Sequence, residues 1–337
     1  MSHDSGGTTA ETTEVAQDES LFETRSVEKM TRGEYYRELF DTWIAAPLRI
    51  LRSDYRGIFG FALIGIFILM GTIGVWIVPS PEATGPILQP AFKSMEHPLG
   101  TDSVGKDMVS LIVHSTPAML KMVSAGAIFA TSLATIIGVS AGYLGGTVDR
   151  AMMTIVDVAM TIPGLPLIIV LAAVIDPTSP YLIGILVTIN AWAGSSRTIR
   201  SQVLTLRNQS YVEASRAMGL STFTIMSKDV LPNMMPYIMM GFVGTARRVI
   251  FASAGLYFIG VLPFSTLNWG VMMNLARSNG ALYSPIAAHW LWAPMMAIVL
   301  MSLGLILLAQ SFDRVFNPRL RAKHQKSSDA DDSEVLS

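Results

Sequence analysis

Apolar and polar residues in this chain are segregated into long blocks rather than interleaved. Residues 58–78 form a run of 21 without a charge. A second uncharged run covers 122–144, and a third, 151–175, carries only Asp157 near its start. Residues 181–196 make a shorter run ending at Arg197, 234–261 are apolar apart from Arg247 and Arg248, and 290–312 are again uncharged. About 20 apolar residues in an α-helix cross the ~30 Å hydrocarbon layer, and a helix satisfies its own backbone there. The pattern predicts an all-α, polytopic membrane protein with six transmembrane helices. It leaves little room for a soluble catalytic domain.

Composition supports this reading. Of 337 residues, 51% are hydrophobic and 15% are charged, against about 25% charged in ordinary soluble domains. That excludes a disordered chain, a nucleic-acid binder and most soluble enzymes. The net charge of −1 offers no bulk attraction to nucleic acid. There is no cysteine, so disulfides, thiol catalysis and cysteine-ligated metals are out.

Charge placement sets the orientation. With the N-terminus inside, 18 of the Lys and Arg residues fall on inner segments, and the outer segments hold three, Lys93, Lys106 and Arg277. Excess Lys and Arg mark the cytoplasmic side, so both termini are expected in the cytoplasm. The first apolar run begins at residue 58 and is too long for the core of a cleavable signal; it is expected to be an uncleaved anchor.

The expected organisation is a polar, acidic, disordered cytoplasmic segment over 1–33, then an elbow helix over 34–56. The first span and outer loop cover 57–118. A core domain follows over 119–314, with an inner loop at 197–233, and then a partly disordered tail over 315–337. In the elbow, Tyr36, Leu39, Phe40, Trp43, Ile44 and Leu48 fall at helical spacing with charges elsewhere on the turn. This fits a helix lying in the membrane interface or an ordinary cytoplasmic helix. Gly138 and Gly142 form a GxxxG within the second span, suited to close helix approach, although glycine is also simply common in spans.

Catalytic and metal chemistry find no residues here. None of the five histidines, His3, His97, His114, His289 and His324, has a second ligand at helical spacing. Residues 100–107 match GxxxxGK, but Asp107 stands where a phosphate loop needs Ser or Thr for Mg²⁺. No strand is expected before the string, and it falls in the first outer loop. The expected catalytic set and metal set are both empty.

The inner loop carries its own pattern. Residues 209–218 can form a short helix ended by Gly219 at C′. Glu213 lies near its first turn, where a carboxylate complements the dipole. Tyr211, Val212, Ala214, Ser215 and Met218 offer a small, partly apolar face. A second helical stretch, 222–230, leads to Leu231-Pro232.

Glu213-Ala214-Ser215, Gly219 four residues on, and Leu231-Pro232 resemble the "EAA" loop of ATP-binding-cassette importer permeases. Further strings point to a narrower group. They are His-Pro-Leu-Gly-Thr-Asp at 97–102, Gly105-Lys106-Asp107, Gly-Tyr-Leu-Gly-Gly at 142–146 with Asp149, Asp157, Ile162-Pro163, Trp269-Gly270, and Asn-Pro-Arg-Leu-Arg at 317–321. In this order they resemble the dipeptide/oligopeptide/nickel permeases, and among these the C-type subunit, over about residues 48–322.

The resemblance implies the type I importer permease fold. It also implies a second, B-type permease completing the pathway, two ATP-binding-cassette ATPase subunits that carry the ATP and Mg²⁺, and an extracytoplasmic solute-binding protein. Membrane lipid would surround the chain, with no cofactor of its own and no nucleic acid. It assigns ATPase coupling to Tyr211, Val212, Glu213, Ala214, Ser215, Met218, Gly219 and Pro232, the last as the start of the fifth span. The outer segments 79–117 and 262–289 are expected to face the binding protein, with Asn268 and Arg277 as contacts, although these and Trp269 also suit plain loop packing.

Two departures stand out. The family often has a His just before Leu-Pro, whereas Asp229 and Val230 stand here. Arg247 and Arg248 occupy a part of the fifth span where the family has small or apolar residues. A helix drawn from Pro236 places them about 11 residues, or roughly 16 Å, in. At that depth each costs about 2.5–3.5 kcal/mol. One of them is expected to line a translocation pathway and attract an anionic solute; the other expectation is pairing with a carboxylate such as Asp157 or a partner-chain group. A self-sufficient secondary transporter or channel is the competing function. It would need coupling carboxylates within its spans, and only Asp157 qualifies.

Overall fold

A computed structural model describes residues 55–316. The stretch 1–33, the expected elbow helix over 34–56 except its last two residues, and the 317–321 string lie outside them. The described chain is all-helical, with only isolated bridges pairing Ala83 with Lys106 and Thr101 with Asp107.

Helix α1 runs Tyr55–Ile77, its ladder widening to a π turn at Met70–Gly74. Helix α2, Met108–Leu144, is 37 residues, or about 55 Å long. It starts well before the expected residue 122, because neither Lys121 nor Pro117 ends it. The Lys121 ammonium sits 5.9 Å from the centre of the Tyr181 ring. Asp107 caps the true start by accepting from the Ser110 N–H at 2.8 Å.

The third apolar run is not one helix. It divides into α3, Gly146–Thr161, and α4, Gly164–Ile175, bent by 81°. Pro163 forces the break: the residue before a proline is pushed out of the helical region, and Ile162 is extended at φ −72, ψ 122. The fourth run is also broken, into α5, Pro180–Val187, and α6, Ala191–Leu206. Arg197 and Arg200 therefore lie on a helix, not in a loop, and the inner connection is shorter than expected. Helix α7 is Ser210–Ala217. Helix α8, Thr222–Ile225, passes through a π turn, Met226–Val230, into α9, Leu231–Phe258. Helix α10, Trp269–Ser278, lies in the segment expected outside, and α11, Ala288–Phe316, is the last helix of the described residues.

Among the described residues, three helices, Tyr55–Ile77, Met108–Leu144 and Pro285–Phe312, are long and apolar enough to cross a membrane, and a fourth crossing counts if α3 and α4 form one bent span. The largest core gathers α2, α5, α9, α10 and α11 around Met119, Met122, Ile183, Ile250, Tyr257 and Trp269. A second, smaller cluster joins α2, α6 and the start of α9 through Ala134, Val139, Ile199, Val203, Val230, Met234 and Ile238. Gly138 and Gly142 do serve close approach. A Cβ at Gly138 would fall 2.7 Å from the Ser196 carbonyl oxygen, and one at Gly142 would fall 2.8 Å from Val203 Cβ, both on α6.

Candidate functional site

Two places carry chemistry: the inner helix α7 and a polar cleft against α9. Helix α7 begins after an extended Gln209 (φ −79, ψ 146). Glu213 stands in its first turn and Arg216 in its last, the arrangement that opposes the helix dipole at both ends. Gly219 turns the chain at φ +76, with its N–H donating to the Arg216 carbonyl at 3.0 Å and the Leu220 N–H to Ser215 at 3.2 Å. Ser221 then accepts from the Thr224 N–H and starts α8.

The helix is seated from one side. Val212 and Ser215 are buried, and the Arg216 guanidinium lies 5.8 Å from the Tyr143 ring centre at the end of α2. Arg207 reaches the Gly142 carbonyl at 3.1 Å. Of the residues expected to form one coupling face, Val212 and Ser215 therefore point inward and hold the helix. Tyr211, Glu213, Ala214, Met218 and Gly219 remain outward. Partial burial, and then the negative charge of Asp229, push the Tyr211 phenol above its ordinary range, so it stays neutral. Glu213 has no ion-pair partner among the described residues. Pro232 is the second residue of α9, directly after the π turn Met226–Val230; it brings no N–H to the ladder there.

Two exposed residues extend this face beyond the sequence expectation. Met218 is 70% exposed, Phe223 78% and Leu220 44%. The signal was present: three apolar residues follow one another across a glycine turn in an otherwise polar loop. The result is an exposed apolar turn that follows a helix carrying an unpaired carboxylate.

The second place is a cleft of about 420 Å³ between α2, α6 and α9, adjoining one of about 400 Å³. Both are lined by Ser195, Thr198 and Arg248. Because α9 starts at Leu231 rather than near Pro236, its midpoint falls between Gly244 and Thr245. Arg248 is then about 5 Å beyond the middle. Arg248 is exposed in the isolated chain, whereas Arg247 is half-buried, its Nε buried without a hydrogen-bond partner among the described residues. Asp157 pairs with neither; its partner is Arg197.

The outer segment needs one correction. Asn268 is fully buried: its Oδ1 accepts from the Val271 N–H at 3.0 Å and its Nδ2 donates to the Thr266 carbonyl. It caps α10 and has no surface to give a docking protein. Arg277 is half-buried, its guanidinium 5.3 Å from the Phe258 ring centre. Trp269 packs edge-on against Phe67 at 5.4 Å. The 97–107 string is a structural clasp. Asp102 accepts from the Val104 and Lys106 N–H groups, His97 contacts Asp107 at 3.2 Å, and His289 of α11 contacts the Thr101 carbonyl at 2.8 Å.

Residues 134–322 match the family described as binding-protein-dependent transport system inner membrane component. The chain is 31% identical to a dipeptide transport system permease protein of Bacillus subtilis, over 77% of this chain and 82% of that protein. It is 30% identical to an oligopeptide transport system permease protein of Lactococcus lactis, over 66% of this chain and 76% of that one. A glutathione transport system permease protein of Pectobacterium atrosepticum is 30% identical over 68% and 75%.

Proposed function

The chain belongs to the family of binding-protein-dependent transport system inner membrane components, and from that premise we propose that it is the C-type permease subunit of an ATP-binding-cassette importer for peptides or related solutes. A second, B-type permease completes the pathway. Two separate ATPase subunits bind ATP and Mg²⁺ and perform the hydrolysis, and an extracytoplasmic binding protein delivers the solute. The chain crosses the membrane six times, by α1, α2, the bent pair α3–α4, the broken pair α5–α6, α9 and α11, with both termini in the cytoplasm. Two of these crossings look weak by length and composition for stated reasons: α5–α6 is interrupted at 188–190, and α9 carries Arg247 and Arg248.

The observation that carries the reading is α7 with its turn. It is a helix held to the body by Val212 and Ser215 that offers Met218, Leu220 and Phe223 outward beside Glu213. Such a knob docks into a groove of an ATPase subunit, with Glu213 meeting a basic group. Gly219 has open space around it, so a side chain there would not clash. The cost of Gly219→Asp is backbone strain of about 1 kcal/mol plus a charge at the docking face. The expected outcome is normal membrane insertion and persisting ATP hydrolysis, with ATP-dependent peptide uptake into vesicles reduced at least about tenfold. Unchanged uptake at normal protein levels would remove the coupling role. Solute movement by this chain alone in vesicles, without ATPase subunits, would replace the importer with a self-sufficient transporter.

A further inference from the structure

We propose that Arg248, with the Ser195 hydroxyl and the second N–H of the Asn190 amide, forms an anion subsite that receives the carboxylate of the transported solute. The inference rests on the importer reading above and names the chemistry of one station along its pathway.

Placement comes first. Arg248 lies within about one turn of the midpoint of α9, yet its side chain is exposed and has no ion pair among the described residues. A guanidinium at that depth is too costly to face lipid and must meet protein or water. It opens onto the two adjoining clefts, whose walls hold no carboxylate at all. The ion pair of Arg197, next to Thr198 in sequence, and Asp157, one turn before Met160, is already closed, and it leaves Arg248 without a carboxylate in the cleft lining.

Donors converge on the same space. Ser195 has no hydrogen bond among the described residues, so its hydroxyl is free to donate. Thr198, one turn further along α6, spends its hydroxyl hydrogen on the Gly194 carbonyl at 3.2 Å and only lines the space, whereas Asn190, just before that helix, donates one amide N–H to the Ile162 carbonyl at 3.4 Å and has a second to give. A planar guanidinium flanked by hydroxyl and amide donors matches a carboxylate.

The glycines supply an independent observation. Gly138 and Gly142 are required by backbone packing, but Gly194, Gly241 and Gly244, which border the clefts, have nothing within 4 Å of where a Cβ would stand. Packing does not demand them. Gly241, Gly244 and Arg248 share one face of α9 by spacing. Their missing side chains leave the approach to the guanidinium clear. Arg247 does not share this role, being half-buried and turned about 100° away.

The chain has no cysteine, so a single reporter thiol can be read cleanly. Gly244→Cys is placed one turn from Arg248 in open space, in the complete transporter reconstituted in vesicles. The thiol is expected to react with the anionic reagent 2-sulfonatoethyl methanethiosulfonate faster than with its cationic trimethylammonium counterpart. Adding Arg248→Met should lower that ratio about tenfold, while Arg248→Lys should keep most of it. Dialanine should slow the anionic reaction and dialaninamide should not. An unchanged ratio in the Met variant, equal protection by the two peptides, or reaction with neither reagent would overturn the subsite. ATP-dependent uptake measured on the same vesicles separates the two readings. Uptake with an unmoved ratio removes the subsite alone, whereas no uptake by the unsubstituted complete transporter removes the importer.

Discussion

Gly126 and Gly184 mark where α2 and α5 touch backbone to backbone. A Cβ at Gly126 would fall 2.5 Å from the Gly184 carbonyl oxygen and 2.7 Å from Val249 Cγ2, and a Cβ at Gly184 would run into the Met122 carbonyl. The Thr188 hydroxyl donates to the Gly126 carbonyl at the same crossing. Nothing there is the far end of a flexible side chain that could step aside. Gly184→Ala is expected to destabilise by about 1–3 kcal/mol through overpacking, read as a lowered unfolding midpoint and lower yield in detergent. Gly65→Ala on α1, with nothing within 4 Å, is the matched control and should leave the midpoint unchanged or slightly raised. An equal loss in both would show that glycine flexibility, not contact, sets the effect. The Gly138–Gly142 contact was legible because its spacing repeats along one helix. The Gly126–Gly184 contact was not, because its halves lie 58 residues apart and neither belongs to a repeat. Asn268 was misread for a related reason. An asparagine in an outer segment looks like surface until the neighbouring helix that it caps is seen to be buried.

Elements were legible where hydrophobicity alone decides them and illegible where a local feature competes with it. Helices α1 and α11 fall close to the uncharged runs. Helix α2 outran its expected start because a lysine with an aromatic face nearby and a proline with packed surroundings do not stop a helix. Conversely, Pro163 divided an unbroken apolar run. The short inner helix and its glycine turn were readable because capping chemistry is local. The grip between α3 and α6 was only half readable. Asp149 stands in the sequence only as part of the string after Gly142, and the structure gives it Arg200, whose Nη2 donates to Oδ2 at 2.6 Å while Nε donates to Oδ1. This bidentate pair is partly buried, with side-chain exposures of 28% for Arg200 and 16% for Asp149. Two-point geometry and partial burial place its coupling near the top of the range for surface pairs, about 1 kcal/mol. A double-mutant cycle on Asp149→Asn and Arg200→Gln, read from unfolding midpoints, should return that coupling. Additive single effects would mean that α3 is held by packing alone.

At the scale of the whole molecule, the knob and the cleft are joined by one unbroken helical segment that contains a π turn and Pro236. From Thr222 through the π turn to Phe258 the chain stays helical, about 55 Å at 1.5 Å per residue. The proposed docking helix hangs from its lower end, and Arg248 sits well above. The lower end is not free. Val230, Met234 and Ile238 pack against Ala134 and Val139 of α2 and Ile199 and Val203 of α6. Those same two helices supply the other walls of the cleft. In the proposed importer, a push on the knob would therefore displace all three walls together, and the cleft would open and close against the second permease rather than by flexing within this chain. This picture needs that helical segment to be stiff and in register. Inserting two glycines between Val230 and Leu231 tests it, because two residues turn a helix by about 200° and glycine weakens the joint. The ATPase subunits should still co-purify, since α7 keeps its own seat on Tyr143 through Arg216. ATP hydrolysis should continue and uptake should fall at least about tenfold; thiol reactivity at Gly244→Cys, expected to change on addition of ATP without the insertion, should no longer change with it. Near-normal uptake by the inserted variant would mean that the stroke reaches the cleft by a route other than α9.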